Sequence, residues 1–192
     1  MPLRPHTPPR PWCPLSDAEW LALYPHLIHR SPAGRQVGDL RARMDAIFHI
    51  ACTASPWRDT PEKFGKPDTI ARYFRRLTHG GLWQSLLETL VALDDDDHPL
   101  RRIESFITRA CRRAHRILGL GFLVLIRRLS IRSALNGPPW LLPDPDLSER
   151  LMRYFWPAIE RRDMPAIRLL KRLLRTTAGK KSIPRSVRLA WP

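Results

Sequence analysis

The sequence predicts an all-α fold, and three observations carry that prediction. Apolar residues recur at spacings of three and four in one segment after another. Most of these segments open on residues suited to cap a helix and close on glycine or proline. In the second half of the chain, the alternation that marks a β-strand is almost absent.

The first element follows a proline-rich stretch, Met1 to Pro14, which reads as a disordered arm and lacks the apolar segment of a signal peptide. Ser16, with Glu19 three residues later, forms a capping box, so a helix starts at Asp17. It is expected to turn Trp20, Leu21, Leu23, Tyr24 and Leu27 toward a core and to bend or end near Pro25. Ser31 to Gly34 make a loop. Asp39 then caps an amphipathic helix with Leu40, Met44, Ile47, Phe48 and Ala51 inward and Arg41, Arg43, Asp45 and His49 mainly on the other side.

A turn at Ser55 to Asp59 leads into a short helix through Phe64, stopped by Gly65. Pro67, Asp68 and Thr69 open the next helix. Its apolar stripe is Ile70, Tyr73, Phe74 and Leu77, and Arg72, Arg75 and Arg76 share another face. Gly80 and Gly81 end it, and Leu82, Trp83, Leu86, Leu87 and Leu90 mark a further helix. A short helix, a glycine turn and a second helix with arginines on its free face is the helix-turn-helix arrangement, in which the second helix enters the major groove. A solvated basic face on an ordinary bundle has the same pattern.

These residues also carry a resemblance. Leu15-Ser16-Asp17-Ala18-Glu19-Trp20, Asp45-Ala46-Ile47-Phe48, Pro56-Trp57-Arg58-Asp59, Phe64-Gly65, Arg72-Tyr73-Phe74-Arg75-Arg76-Leu77 and Gly81-Leu82-Trp83 follow in order. The set resembles the N-terminal domain of bacterial insertion-sequence transposases of the DDE type, over about residues 15–93. In that family the region is taken to bind the terminal inverted repeats of the element. The resemblance therefore implies double-stranded DNA as a partner. It implies DNA contact by Arg72, Arg75 and Arg76, with Thr69 at the helix start; Arg35 and Lys66, basic residues of nearby loops, are further candidate DNA-binding residues.

The second half does not continue that pattern. A DDE core holds two metal ions with three carboxylates. Residues 94–192 offer Asp94 to Asp97, Glu104, Asp144, Asp146, Glu149, Glu160 and Asp163, with no family signature for a first catalytic aspartate. The aspartate run reads as a solvated linker, and Asp146 or Ser148 as a helix N-cap. The histidines form no ligand cluster. No catalytic residue, metal site or cofactor is therefore assigned.

Helical periodicity nevertheless continues. Ile103, Phe106, Ile107, Ala110, Ala114, Ile117 and Leu118 form one stripe, with Arg102, Arg109, Arg112, Arg113 and Arg116 mostly off it. Further helices are predicted from about Ser148 to Arg162, where Pro157 is a kink point, and from Met164 to Arg175. Out-of-frame debris would show no such agreement between apolar period and charge placement. Three or four packed helices burying Phe106, Leu151, Phe155 and Leu170 are expected, with a disordered tail from Thr176.

Composition bounds the partners. The chain of 192 residues has 33 Lys and Arg against 18 Asp and Glu, a net charge of +15, which points to a polyanion. Residues 94–192 hold 21 of the basic and 10 of the acidic residues. Three scattered cysteines fit a reducing compartment. The longest apolar run, Ile117 to Ile126, is too short to be an integral membrane segment.

The resulting expectation is an N-terminal helix-turn-helix bundle over residues 15–93, followed by a basic helical region over 98–175. The function that fits is a cytoplasmic, nucleoid-associated, transposase-derived DNA-binding protein without its own catalytic core. A truncated transposase fits, as does the first product of a two-frame element. That leaves room for a separately encoded catalytic transposase subunit and for a homo-oligomer. Two alternatives stay open: an interaction protein that binds acidic partners or membrane surface through basic amphipathic helices, and a transposase with a reduced catalytic core.

Overall fold

The computed structural model describes residues 9–28 and 38–191. Among these residues every regular element is a helix. Ser31 to Gly34, Arg30, Arg35 and residues 1–8 lie outside the described residues. The chain divides into two compact units, residues 1–135 and Asn136–Trp191.

In the first unit, α1 (Asp17–Leu23) starts where the capping box places it. Ser16 Oγ accepts from the Glu19 N–H at 3.3 Å, and Glu19 Oε2 accepts from the Ser16 N–H at 2.8 Å. The helix stops before Pro25, which opens the short α2 (Pro25–Ile28). Its inward face is not the expected one. Leu15, Glu19, Leu23 and Leu27, each four residues apart, are buried, whereas Leu21 is 68% exposed and Tyr24 38%. The buried capping carboxylate fixes this rotation. Arg10 donates to Glu19 Oε1 at 2.7 Å, so the acid sits inward with both oxygens satisfied. Burial opposes the Glu19 charge, but the Ser16 N–H and the Arg10 guanidinium outweigh it and hold the carboxyl below its usual range.

Arg10 and Trp12 also correct the expectation of a disordered arm, as far as residues 9–14 are concerned. The Arg10 guanidinium lies 4.5 Å from the Phe106 ring centroid. Trp12 meets His49 edge-on at 4.8 Å and Phe64 at 6.0 Å. Proline makes this segment extended, and its two long side chains anchor it.

The helix α3 (Leu40–Cys52) is capped by Asp39, which accepts from the Ala42 N–H at 2.9 Å. Asp45 is buried, contrary to the polar-face assignment, because its Oδ1 accepts the Leu15 N–H at 2.9 Å and so ties the entry of α1 to α3. Two 3-10 turns follow, Trp57–Asp59 and Glu62–Phe64; the expected short helix is the second of these, closed by Gly65 at φ 89°. Then come α4 (Pro67–His79), α5 (Leu82–Ala92), α6 (Pro99–Arg102) and α7 (Glu104–Arg128). Asp94 to Asp97 are an exposed connector.

The long helix α7 packs against α3, α4 and α5. Phe48 and Phe106 meet at 5.9 Å, and Phe74 and Trp83 at 5.5 Å. The buried Trp83 indole donates to Thr78 Oγ1 at 2.8 Å, so no polar atom of that ring is stranded. Residues 98–135, grouped by sequence with the basic C-terminal region, thus share the core of the front module. Their predicted stripe holds for Ile103, Phe106, Ile107, Ala110 and Ala114, which are buried, but Ile117 is exposed. The reason is Gly119, at φ 66° and ψ −148°, which breaks α7. Beyond it, Phe122, Leu123 and Ile126 are buried again. No helix among the described residues is long and apolar enough to cross a membrane.

The second unit is a helical hairpin. In it, α8 (Pro145–Glu160) is capped by Asp144, not by Asp146 or Ser148. Pro145 takes the first helical position, so the cap is the residue before it. The next helix, α9 (Met164–Thr177), is capped by Asp163 and packs along α8. Ala158 and Thr177 are buried; Leu151, Phe155 and Leu170 are only half-buried, because two helices cover one side of each stripe. The tail is not disordered. The Lys180 N–H donates to the Leu141 carbonyl at 2.8 Å, the short α10 (Arg185–Ala190) follows, and Trp191 meets Trp140 edge-on at 6.0 Å.

Candidate nucleic-acid interface

The helix α4 owes its two faces to a clean apolar stripe. Ile70, Tyr73, Phe74 and Leu77 are buried, and Arg72, Arg75 and Arg76 are exposed, as the spacing predicts. Pro67 occupies the first helical turn, and no side chain caps the N-terminus there. Thr69 is half-buried beside the stripe, and Lys66 is exposed just before the helix. Arg35 falls outside the described residues. Among the described residues no ion pair engages Arg72, Arg75 or Arg76.

Arg76 is not isolated. Its guanidinium carbon stands 5.0 Å from the Tyr73 ring centroid, and Arg43, from α3, stands 5.5 Å from the same centroid. The buried phenol is pushed up in pKa by desolvation, against the pull of Arg76 and Arg43, so it carries its proton at neutral pH. Sequence reasoning placed Arg43 on the polar side of its helix but did not connect it with α4. The two residues are 33 positions apart, and only the packing of α3 on α4 brings them to one ring.

The arginines of α7 are used differently. Arg113 donates to the Ile50 carbonyl at 3.0 Å and to the Ser55 carbonyl, and its guanidinium lies 5.0 Å from the Trp57 ring centroid. Arg109 donates to the Cys52 carbonyl at 3.2 Å, and Arg112 to the Ser133 carbonyl at 2.7 Å. Burial pushes Arg112 and Arg113 down to about 10, still charged at neutral pH. Arg109 and Arg113 close the C-terminal end of α3, where free carbonyls and the helix dipole favour cations, and Arg112 ties α7 to the turn at residues 132–134. Trp57 also packs on Phe74 of α4 at 5.1 Å, so the Pro56-Trp57-Arg58-Asp59 turn is a strut between α4 and α7.

Among the described residues, no three or more His, Cys, Asp or Glu side chains are grouped to hold a metal ion. Cys111 is buried and Cys13 exposed.

A family model described as "Putative transposase of IS4/5 family (DUF4096)" matches residues 15–87. The match runs from the capping box to the middle of α5 and takes in every residue of the α4 face. Comparison with curated proteins and with solved structures gave no match. Residues 15–87 therefore match the N-terminal domain of insertion-sequence transposases of the IS4/5 type.

Proposed function

We propose that the first unit binds double-stranded DNA at the ends of an insertion element, with α4 as the helix that enters the major groove. The observation that carries this reading is the set of Arg72, Arg75 and Arg76, exposed and without an ion pair, on the helix that the transposase match contains. Arginine can read guanine edges with two parallel donors or hold phosphates. The short first helix expected before Gly65 is a single 3-10 turn, so this reading takes α3, which packs against α4, as the first helix of the motif. The connection over residues 53–66 is longer than a three- or four-residue turn, so the motif is an expanded variant. Strand cleavage and joining are assigned to a separately encoded catalytic subunit.

The test is a salt-resolved titration of DNA with the full chain and with its Arg75→Ala/Arg76→Ala variant. Each lost phosphate contact lowers the slope of log K against log salt by about 0.9. Both side chains are exposed, so the variant is expected to fold. Unchanged affinity and slope in the folded variant would remove this face from the DNA site. Metal-dependent cleavage of element-end DNA by the chain alone, abolished by changing Asp146 or Glu149, would overturn the assignment of catalysis elsewhere.

A further inference from the structure

Two cations converge on one buried ring at the edge of α4, and the DNA reading has not used one of them. Arg43 and Arg76 come from different helices, stand 5.5 and 5.0 Å from the Tyr73 centroid, and face the same phenol. Neither forms an ion pair among the described residues. Both guanidinium carbons lie within 5.5 Å of one centroid, so two like charges share a single ring and do not neutralise each other. The ring attracts each of them weakly through its face, by about 0.5–1 kcal/mol at an exposed site. That fixes their positions but leaves their charge unneutralised. A planar guanidinium offers several donors in a fork that suits a phosphate.

We propose that Arg43 and Arg76, spread on Tyr73, form a clamp for a single phosphodiester of the DNA backbone. The proposal rests on the reading of α4 as the DNA-contacting helix, and it divides the labour among the arginines of that face. Arg76 and Arg43 hold the backbone and set the register. Arg72 and Arg75, which have no such platform, remain for other contacts on the duplex. Tyr73 is a positioning residue: it touches no DNA but orders two side chains that would otherwise be disperse. Phosphate contacts position a protein on a duplex without reading sequence, so the clamp is blind to base identity.

The experiment uses the full chain and a mixed-sequence DNA duplex, with binding measured across a range of salt. The variants are Arg43→Gln, Arg76→Gln, their double, and Arg72→Gln/Arg75→Gln, each checked for an unchanged helical spectrum and melting temperature. Arg43→Lys keeps the charge but not the fork, and guards against a loss due to folding alone. Each single clamp variant should weaken binding severalfold, by the same factor on duplexes of different sequence. The double variant should lower the salt slope by about 0.9 and no more, because both residues hold one phosphate. A double variant that loses about twice that slope means two separate contacts, and overturns the shared clamp. If Arg43→Gln binds as the parent while Arg72→Gln/Arg75→Gln is weakened, the clamp fails and the α4 reading stands. If every variant binds as the parent, both fail.

Discussion

Arg113→Met tests whether the α7 arginines hold the fold. The guanidinium donates to the carbonyls of Ile50 and Ser55 and lies on the Trp57 ring. Methionine keeps an apolar stem of similar reach, so the packing along α7 changes little. What disappears are two charge-assisted hydrogen bonds, each worth about 1.5–3 kcal/mol. Part of that gain is already spent on desolvating the charge, as its pKa of about 10 attests. The net loss should be about 2–4 kcal/mol, a large share of the roughly 5–15 kcal/mol that stabilises an ordinary domain. Urea unfolding followed by circular dichroism should show the midpoint falling with little change of slope. Arg113→Lys should recover only part, because an ammonium can still reach the carbonyls but has no planar guanidinium to lie on the Trp57 ring. A loss under about 0.5 kcal/mol for Arg113→Met, or full recovery by lysine, would refute the reasoning.

Three further outcomes follow from the same structure. Burial raises the Asp45 carboxyl, and the Leu15 N–H does not offset it. The folded chain then binds that proton more tightly than the unfolded one, and stability falls as pH rises from the ordinary aspartate range through the raised value. Asp45→Asn keeps an acceptor for Leu15, so it should be more stable than the parent at pH 7 and equal to it in acid, by denaturation at stepped pH. His49 is lowered by burial and then by Lys63; its neutral form contributes stability that is present above about 6.5 and lost as pH falls through the folded value. Trp12 fluorescence should report that loss, and His49→Phe should remove its pH dependence. Gly119→Ala meets no atom within 4 Å, so it should cost only backbone strain, about 1–3 kcal/mol. Gly179→Ala should cost more, because its Cβ would also stand 2.6 Å from the Pro143 nitrogen; thermal melts rank the two.

Legibility in the sequence followed the range of the interaction. The Ser16–Glu19 box, the Asp39 cap, the Gly65 stop and the stripe of α4 each depend on residues within about one turn, and each was readable. The arginine faces of α7 were not. Their carbonyl partners lie 57 to 63 residues away for Arg109 and Arg113, and nothing local marks a helix C-terminus waiting for them. Composition misled at both ends. Proline suggested disorder over residues 9–14, but proline also stiffens an extended segment, and Trp12 and Arg10 had aromatic surfaces to reach. The run Asp94 to Asp97 suggested a boundary, yet a solvated connector says only that the chain is exposed there. The helices on either side of it share one core. In the candidate site, the α4 arginines were legible because they are neighbours in sequence, and Arg43 was not because its neighbour is Tyr73.

The same distinction corrects the weight given to net charge. A charge of +15 treats every basic residue as part of one electrostatic footprint. In the first unit, several are already committed. Arg10 and Arg41 pair with Glu19 and Asp17, Arg101 pairs with Glu104 and donates to the Leu93 carbonyl, and Arg109, Arg112 and Arg113 serve backbone carbonyls. A group in such a bond gains little by turning to a phosphate, because it would leave a carbonyl or carboxylate unsatisfied behind it. Around α4 the cations with no ion pair or backbone carbonyl to give up include Arg72, Arg75, Arg76 and Arg43, the last two held at Tyr73; on α7, Arg116 is likewise exposed. On the proposed DNA-binding reading, the small α4 face, with more such cations, therefore outranks the more arginine-rich α7, although counting charges along the sequence favours the reverse.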